Sequence, residues 1–314
     1  MPSSAIRETA DVDEFVNAIR PSSVKFTVTT RGRLAASITR INLHGLWMQR
    51  GRERLPRVWH AEPSAQRKII SFLTDAGRGA VRNGREFGLG QIALHSPGRA
   101  YQHRSLGPLS WAAMSLPAAD MAEVSATLAG RDLMPEQDEE IVAPPADAMA
   151  KLQRLHAAAG HLAEYAPEVI TRPEAARGLE QALTEAMIDC IVAPDRREDT
   201  AAQLRHTAIM QRFHAVLDAS ESTAVYFPQL CKKIGVSART LRVICHEHLG
   251  LSPKRYLLLR RMHLARRTLR EGAPGDTSVT DVATQFGFWE LGRFAVEYKS
   301  LFGESPSETL RHVS

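Results

Sequence analysis

The chain has 314 residues, 44% hydrophobic and 24% charged, enough for about two domains with a sizeable core. No apolar run approaches the ~18–20 residues of a membrane helix. Three cysteines (Cys190, Cys231 and Cys245) with no Cys-x-x-Cys pair argue against a disulfide framework or a structural zinc site. The net charge of +5 lies in the last third: residues 201–314 hold 16 Lys and Arg against 10 Asp and Glu. That balance suits a polyanionic partner, nucleic acid above all, as readily as it suits a solvated basic surface.

The N-terminus shows no basic segment followed by an apolar one, so no secretory signal is expected, and the odd number of cysteines fits a reduced, intracellular protein. "DVDEFVNAIRP" predicts a short helix, with Asp11 as cap, Glu14 completing a capping box, and Pro21 ending it. The texture then changes. "VKFTVTTRG", "RLAASITRINLHGLWMQRG", "RKIISFLTDAG", "GQIALHSPG" and "LSWAAMSLP" are short, rich in β-formers and bounded by turn residues, and Asn83-Gly84 is a hairpin signal. Up to about residue 118 this predicts a small antiparallel barrel or sandwich. The polar "MPEQDEEIVAPPADA" reads as a boundary or linker. Two Ala- and Leu-rich helices follow. In the second, Leu179, Leu183, Met187 and Ile191 form one apolar stripe, which either packs on the barrel or, the preferred expectation, forms a dimer seam.

From a helix around residues 196–219 onward the pattern is helical and repeats its plan. In the first unit, Leu230, Cys231 and Ile234 make an inner face, Gly235 stops the helix, Val236 plugs the turn, and Ser237 caps a second helix with Leu241, Ile244 and Cys245 inward. In the second, Ser278 and Asp281 form a capping pair. Val279, Val282, Ala283 and Phe286 face inward, Gly287 stops the helix, Phe288 plugs, and Leu291, Phe294 and Tyr298 follow on the inner face. Each is helix, tight turn, helix. Between them, Ser252 and Pro253 open a 19-residue helix to about Glu271, roughly 28 Å long at ~1.5 Å per residue. That length is of the order of the ~34 Å turn of B-DNA, so one connector could present two helices to successive major grooves.

Across residues 221–311, "GVSARTL", "HLGLSPKRY", "ARRTL", "VTDVATQFGF" and "LFGESPSE" fall in order, and the region closely resembles the AraC/XylS-type transcription regulators. The stretch "GREFGLGQIALHSPGRAYQH…GPLSW" is similar, more diffusely, to the cupin-like effector-binding domain of that family. The resemblance implies an α+β multidomain protein: a cupin-like antiparallel β-barrel sensor at 1–135, a helical linker and dimerisation region at 136–200, and an all-α double helix-turn-helix domain at 201–314. It further implies a dimeric cytoplasmic activator of transcription that binds promoter double-stranded DNA, works with RNA polymerase and answers to a small-molecule effector, with no enzymatic activity, cofactor, metal or membrane partner.

Within that frame, Arg239, Thr240, Arg242 and His246 of the first unit and Glu290, Leu291, Arg293 and Val296 of the second are expected at base edges, and Ser237, Lys254, Arg255 and Lys299 at phosphates. The family often has Arg where Val243 and Val296 stand, so each unit lacks an expected basic contact. The second unit is left either to read thymine methyls through Leu291, Ala295 or Val296, or to clamp the backbone. Trp47, Trp59 and Trp111 are candidates for an effector pocket, against the alternative that they are core. Two enzymes compete with this reading. A metal-dependent cupin enzyme needs converging ligands, yet His44, His60, His95 and His103 are widely spaced. A DNA-repair methyltransferase needs a reactive cysteine, whereas both tail cysteines lie on inner faces. In "CHEH", residues 245–248, four consecutive side chains point ~100° apart around a helix and cannot converge on one ion. Cys245 is expected inward, His246 outward, and Glu247 and His248 toward solvent or the connector helix.

Overall fold

The computed structural model describes residues 1–20, 22–75, 77–136, 138–196, 200–220, 225–272 and 277–311; Pro21, expected to end the first helix, lies outside them. The chain opens with β1 (Ser3–Thr9), α1 (Val12–Ala18), β2 (Ser22–Val28), β3 (Ala36–Asn42), β4 (Trp47–Glu53), β5 (Arg57–Pro63) and β6 (Arg67–Leu73). A tight hairpin of β7 (Ala80–Arg82) and β8 (Arg85–Phe87) precedes β9 (Ile92–His95), β10 (Tyr101–Ser105) and β11 (Leu109–Pro117). Asn83 (φ 48°) and Gly84 (φ 80°) both take positive φ, the turn that Asn-Gly favours and that matches strand twist. Then come α2 (Ala118–Ala129), β12 (Glu140–Ala143), α3 (Ala146–Tyr165), α4 (Pro167–Thr171), α5 (Pro173–Val192) and β13 (Asp195–Arg196).

The expected barrel is two separate antiparallel sheets. One runs β1-β3-β4-β11-β6-β9-β12-β13, the other β2-β5-β10-β7-β8. Strands β12 and β13 extend the larger sheet at its edge beyond β9. A core of Phe15, Phe26, Ile38, Trp59, Leu73, Phe87, Tyr101 and Trp111 fills the space between the sheets. A second core on the outer face of the larger sheet joins Ile41, Met48, Ile70, Phe72, Leu94 and Met114 to α2, α3 and α5. Leu183, Met187 and Ile191 are fully buried there, and Leu179 packs against them. The stripe expected as a dimer seam is thus covered by its own chain. The acidic "linker" contributes strand β12, in register with β9 from Glu140↔Leu94 to Val142↔Ile92.

The remainder is helical: α6 (Ala201–Asp218), α7 (Phe227–Ile234), α8 (Ala238–Leu249), α9 (Pro253–Glu271), α10 (Val279–Gln285), α11 (Leu291–Phe302) and α12 (Pro306–Arg311). Helix α6 starts at Ala201, capped by Thr200 in a capping box with Gln203, later than the residue 196 expected; residues 197–199 lie outside the described part. Two cores form, one around Phe213, Leu230, Ile234, Leu241, Ile244 and Cys245, the other around Leu259, Met262, Val282, Ala283, Phe286, Phe294 and Tyr298. The connector α9 contributes Tyr256 and Leu257 to the first and Leu259, Met262, Ala265 and Leu269 to the second, which makes it the common strut of both units.

Candidate nucleic-acid interface

Each helix-turn-helix unit is set by short-range signals. Gly235 takes the left-handed conformation (φ 76°) and donates its N–H to Cys231 O, ending α7. Ser237 Oγ then accepts from Thr240 N at 3.0 Å, opening α8. In the second unit Gly287 (φ 75°) makes the turn and Ser278 Oγ caps α10 by accepting from Asp281 N at 3.0 Å. The connector begins at Pro253, with Ser252 accepting from Arg255 N at 3.3 Å, as its sequence predicts.

Burial sorts the faces of the two second helices. On α8, Leu241, Ile244, Cys245, His248 and Leu249 are buried, while Arg239, Arg242, Val243 and His246 are exposed. Arg242 lies over the Phe227 ring at 5.3 Å, an orientation that keeps its guanidinium on the open side. Thr240 is half-buried, its hydroxyl 2.8 Å from Ser237 Oγ, so it is engaged in the cap. On α11, Phe294, Tyr298 and Leu301 are buried, and Glu290, Leu291, Arg293, Val296 and Lys299 are exposed. Leu291, expected on the inner face as well as the outer, is at the surface because it starts the helix a turn away from the α10 packing. Arg293 donates to Glu297 at 2.9 Å and faces Glu290 at 3.7 Å, so its charge is balanced on its own helix. Ser237, at the start of α8, and Lys254 and Arg255, at the start of α9, are exposed.

The rear of α8 departs from expectation. Glu247, about a third exposed, and His248, buried, turn toward α6 and the sensor hairpin. Glu247 pairs with His206 Nδ1 of α6 at 2.7 Å. His248 is buried beneath the sensor hairpin, with so little room that a Cβ on Gly84 would lie 2.7 Å from its Nε2. Arg104 of β10 lies closer still on Gly250 at the α8 terminus. Burial, with His206 and Arg104 nearby, lowers the His248 pKa to about 4. No sequence pattern announces this contact, since it joins segments more than 140 residues apart.

Of the three tryptophans, Trp59 and Trp111 meet edge to face at 5.3 Å and line a cavity between the sheets with Arg82, His95, Tyr101 and His103. Trp47 is on the same sheet as Trp111 but sits at the end of β4, over which Arg67 lies at 4.0 Å, outside the cavity. The cavity holds about 30 Å³, room for a couple of waters rather than for a drug-sized ligand. Its polar wall was missed from sequence. Arg82 pairs with Glu139 at 2.7 Å and lies over the Tyr101 ring at 4.0 Å, while His95 is held by Ser71 Oγ at 2.9 Å. Burial keeps His95 and His103 neutral, with pKa values well below the usual range. Trp59 Nε1 and His103 Nε2 are buried without a hydrogen-bond partner.

Elsewhere, Cys245 is fully buried and burial pushes its thiol up to about 12. Among the described residues no three His, Cys, Asp or Glu side chains are placed to hold a metal ion, and no helix is long and apolar enough to cross a membrane.

Residues 230–312 match a family described as "Helix-turn-helix domain". The chain is 42% identical over 97 residues to the "Probable thc operon regulatory protein" of Rhodococcus erythropolis, covering 31% of this chain and 29% of that one. It is 41% identical over 76 residues to the "XylDLEGF operon transcriptional activator" of Pseudomonas putida, covering 24% of each. The match therefore spans less than a third of the length of these relatives. A solved structure of the AraC-like transcriptional activator CuxR aligns with a TM-score of 0.44 at 12% identity, over 85% of this chain and 96% of that one.

Proposed function

We propose, from the likeness of residues 230–312 to the helix-turn-helix family and of the C-terminal domain to operon activators, that the protein is an AraC/XylS-type, sequence-specific DNA-binding regulator of transcription. It acts in the cytoplasm as a homodimeric activator that engages RNA polymerase and responds to a small molecule. The observation that carries this reading is the pair of second helices, α8 and α11, mounted on one connector with their outward faces open. On α8, Arg239, Arg242 and His246 are the base readers; Ser237, Lys254, Arg255 and Lys299 hold phosphates, which fixes register without specifying sequence. The operon activators among the relatives support the activator assignment. The effector site is the space between the sheets, where two unpartnered buried polar groups face aromatic walls. At about 30 Å³ it takes a ligand only if the Trp59–Trp111 pair or the sheets move apart.

Footprinting on DNA upstream of neighbouring genes tests the DNA-binding reading. Wild type should protect two adjacent major grooves per subunit. Arg239→Ala and Arg242→Ala should each weaken specific binding by about 1–3 kcal/mol if they hold a guanine edge, with thermal stability unchanged because both are exposed. An unaltered footprint in both variants would show that the reading face is elsewhere.

A further inference from the structure

The two second helices align residue for residue. Each has 12 residues, and each ends on a left-handed glycine, Gly250 (φ 66°) or Gly303 (φ 79°). The buried Leu241 and Cys245 correspond to Phe294 and Tyr298. On the outer face, Arg239 and Arg242 correspond to Gly292 and Ala295, so the two long cationic side chains are replaced by the two smallest residues. At the centre both helices carry valine: Val243 is 55% exposed and Val296 70%. Each valine lies two residues from both buried anchors, ~200° around the helix, which places it opposite the core. A single exposed valine is ordinary on a protein surface, but here the same residue stands at the apex of two equivalent helices, and the second unit exposes further apolar side chains, Trp289 at 78% and Leu291 at 38%.

The occupant that fits this surface is the floor of the DNA major groove. The surface sits in the position that a helix-turn-helix presents to DNA, within a domain that carries the chain's whole excess of positive charge, with Lys299 exposed on the same helix. The one arginine on α11 is balanced by Glu290 and Glu297. The apolar feature of the major groove is the 5-methyl group of thymine. Resting on the DNA-binding reading above, we propose that Val243 and Val296 are thymine readers, each packing on a 5-methyl at the same register of its half-site. The second unit specifies sequence by this contact, and Gly292 and Ala295 let its backbone approach the bases closely. The first unit adds guanine contacts through Arg239 and Arg242.

The experiment is selection of bound sequences by the full chain from a random-sequence duplex pool, made once with thymine and once with uracil in its place, which removes only the methyl. The thymine pool should yield two submotifs about one helical turn apart, each with a fixed thymine at the same position and guanines only in the first. In the uracil pool the second submotif should vanish while the guanines of the first persist. On the selected site, one thymine-to-uracil change opposite α11 should weaken binding about fourfold, the worth of one buried methyl-sized group. Val296→Ser should abolish that sensitivity and Val296→Ile preserve it; both substitutions are at an exposed position and should leave the melting temperature intact. A second submotif retained in uracil, or a Val296→Ser protein that binds and discriminates as wild type does, overturns the proposal and leaves the apolar face to a protein partner. A guanine submotif alone, with no second half-site, also overturns it but leaves the DNA-binding reading standing. Enrichment of nothing from either pool defeats that reading and the inference with it.

Discussion

Glu53 and Arg57 are fully buried and joined at 2.6 Å, and the surrounding side chains satisfy them: Trp111 Nε1 donates to Glu53 at 2.7 Å, and Arg57 donates to His103 O at 3.3 Å. A buried charge left without its partner costs far more than the pair contributes. Glu53→Leu should therefore destabilise the protein by about 3–5 kcal/mol, and adding Arg57→Met should recover most of that loss; urea unfolding of the three proteins checks it. If the single and double variants were equally unstable, the packing of Trp111 and not the charge would be at issue. Trp111 lies flat on Gly51 across the β4–β11 pair, where a Cβ would overlap its indole ring. The sequence displays tryptophans on strands and leaves open whether they line a pocket. It cannot show that register sets Trp111 opposite Gly51 while Trp47, four residues earlier, falls at the strand's end on Arg67. Side-chain company of that kind depends on strand pairing, which no local pattern states.

Elements whose signals are local read well from the sequence. Gly235, Ser237, Ser252, Pro253 and Ser278 each specify a cap or stop within three residues, and the helices start and end where those residues predict. The Asn83-Gly84 turn is of the same kind. Elements defined by what covers them read poorly. Strand β12 was hidden in an acidic, proline-bounded stretch, because pairing with β9 and not composition makes it a strand. The apolar stripe of α5 was legible as a stripe, but periodicity does not say whether a sheet or a second subunit covers it. The structure covers it with the larger sheet and α3, so Leu183→Ala should act as a core truncation costing about 2–5 kcal/mol. Its urea midpoint should fall equally at low and high protein concentration, with the sedimentation behaviour unchanged. A loss that differs between low and high protein concentration would return α5 to a subunit interface.

At the scale of the whole molecule, the sensor and the helix-turn-helix units meet along a seam rich in neutral imidazoles. His60 of β5 stacks on His214 of α6 at 3.9 Å, and His248 lies under Gly84. Burial lowers His60 and His248 to about 4 and His214 well below its usual value, modulated by Lys25, Asp218 and Arg260 around the stacked pair and by His206 and Arg104 around His248. Freed from the seam these groups would titrate near 6.5, so below that pH the open chain binds more protons than the docked one. The docked state is therefore at full strength above about pH 6.5 and loses up to ~1.4 kcal/mol per pH unit per histidine as pH falls toward 4. The melting temperature should drop between pH 7 and pH 5, and a His60→Phe, His214→Phe double variant, which keeps two stacked rings, should flatten that dependence. An equally steep drop in the double variant would place the acid sensitivity elsewhere. None of this seam is legible in sequence, because it is assembled from β5, β7, β8, α6 and α8, and each histidine by itself looks like a surface residue.

The unlike outer faces of α8 and α11 also give the molecule a direction. One end of the connector carries arginines at the two positions where the other carries glycine and alanine, so under the proposed DNA-binding function a single subunit could not be turned end for end on its site and bind equally well. Such a protein lies on DNA like an arrow. Inverting the operator relative to the promoter would carry the sensor domain to the opposite side of the site without altering a single contact to DNA. On the proposed reading, where such a regulator stands with respect to the transcription start would be written into the order of its two submotifs, and a pair of subunits bound to repeated sites would face the same way only if the repeats do.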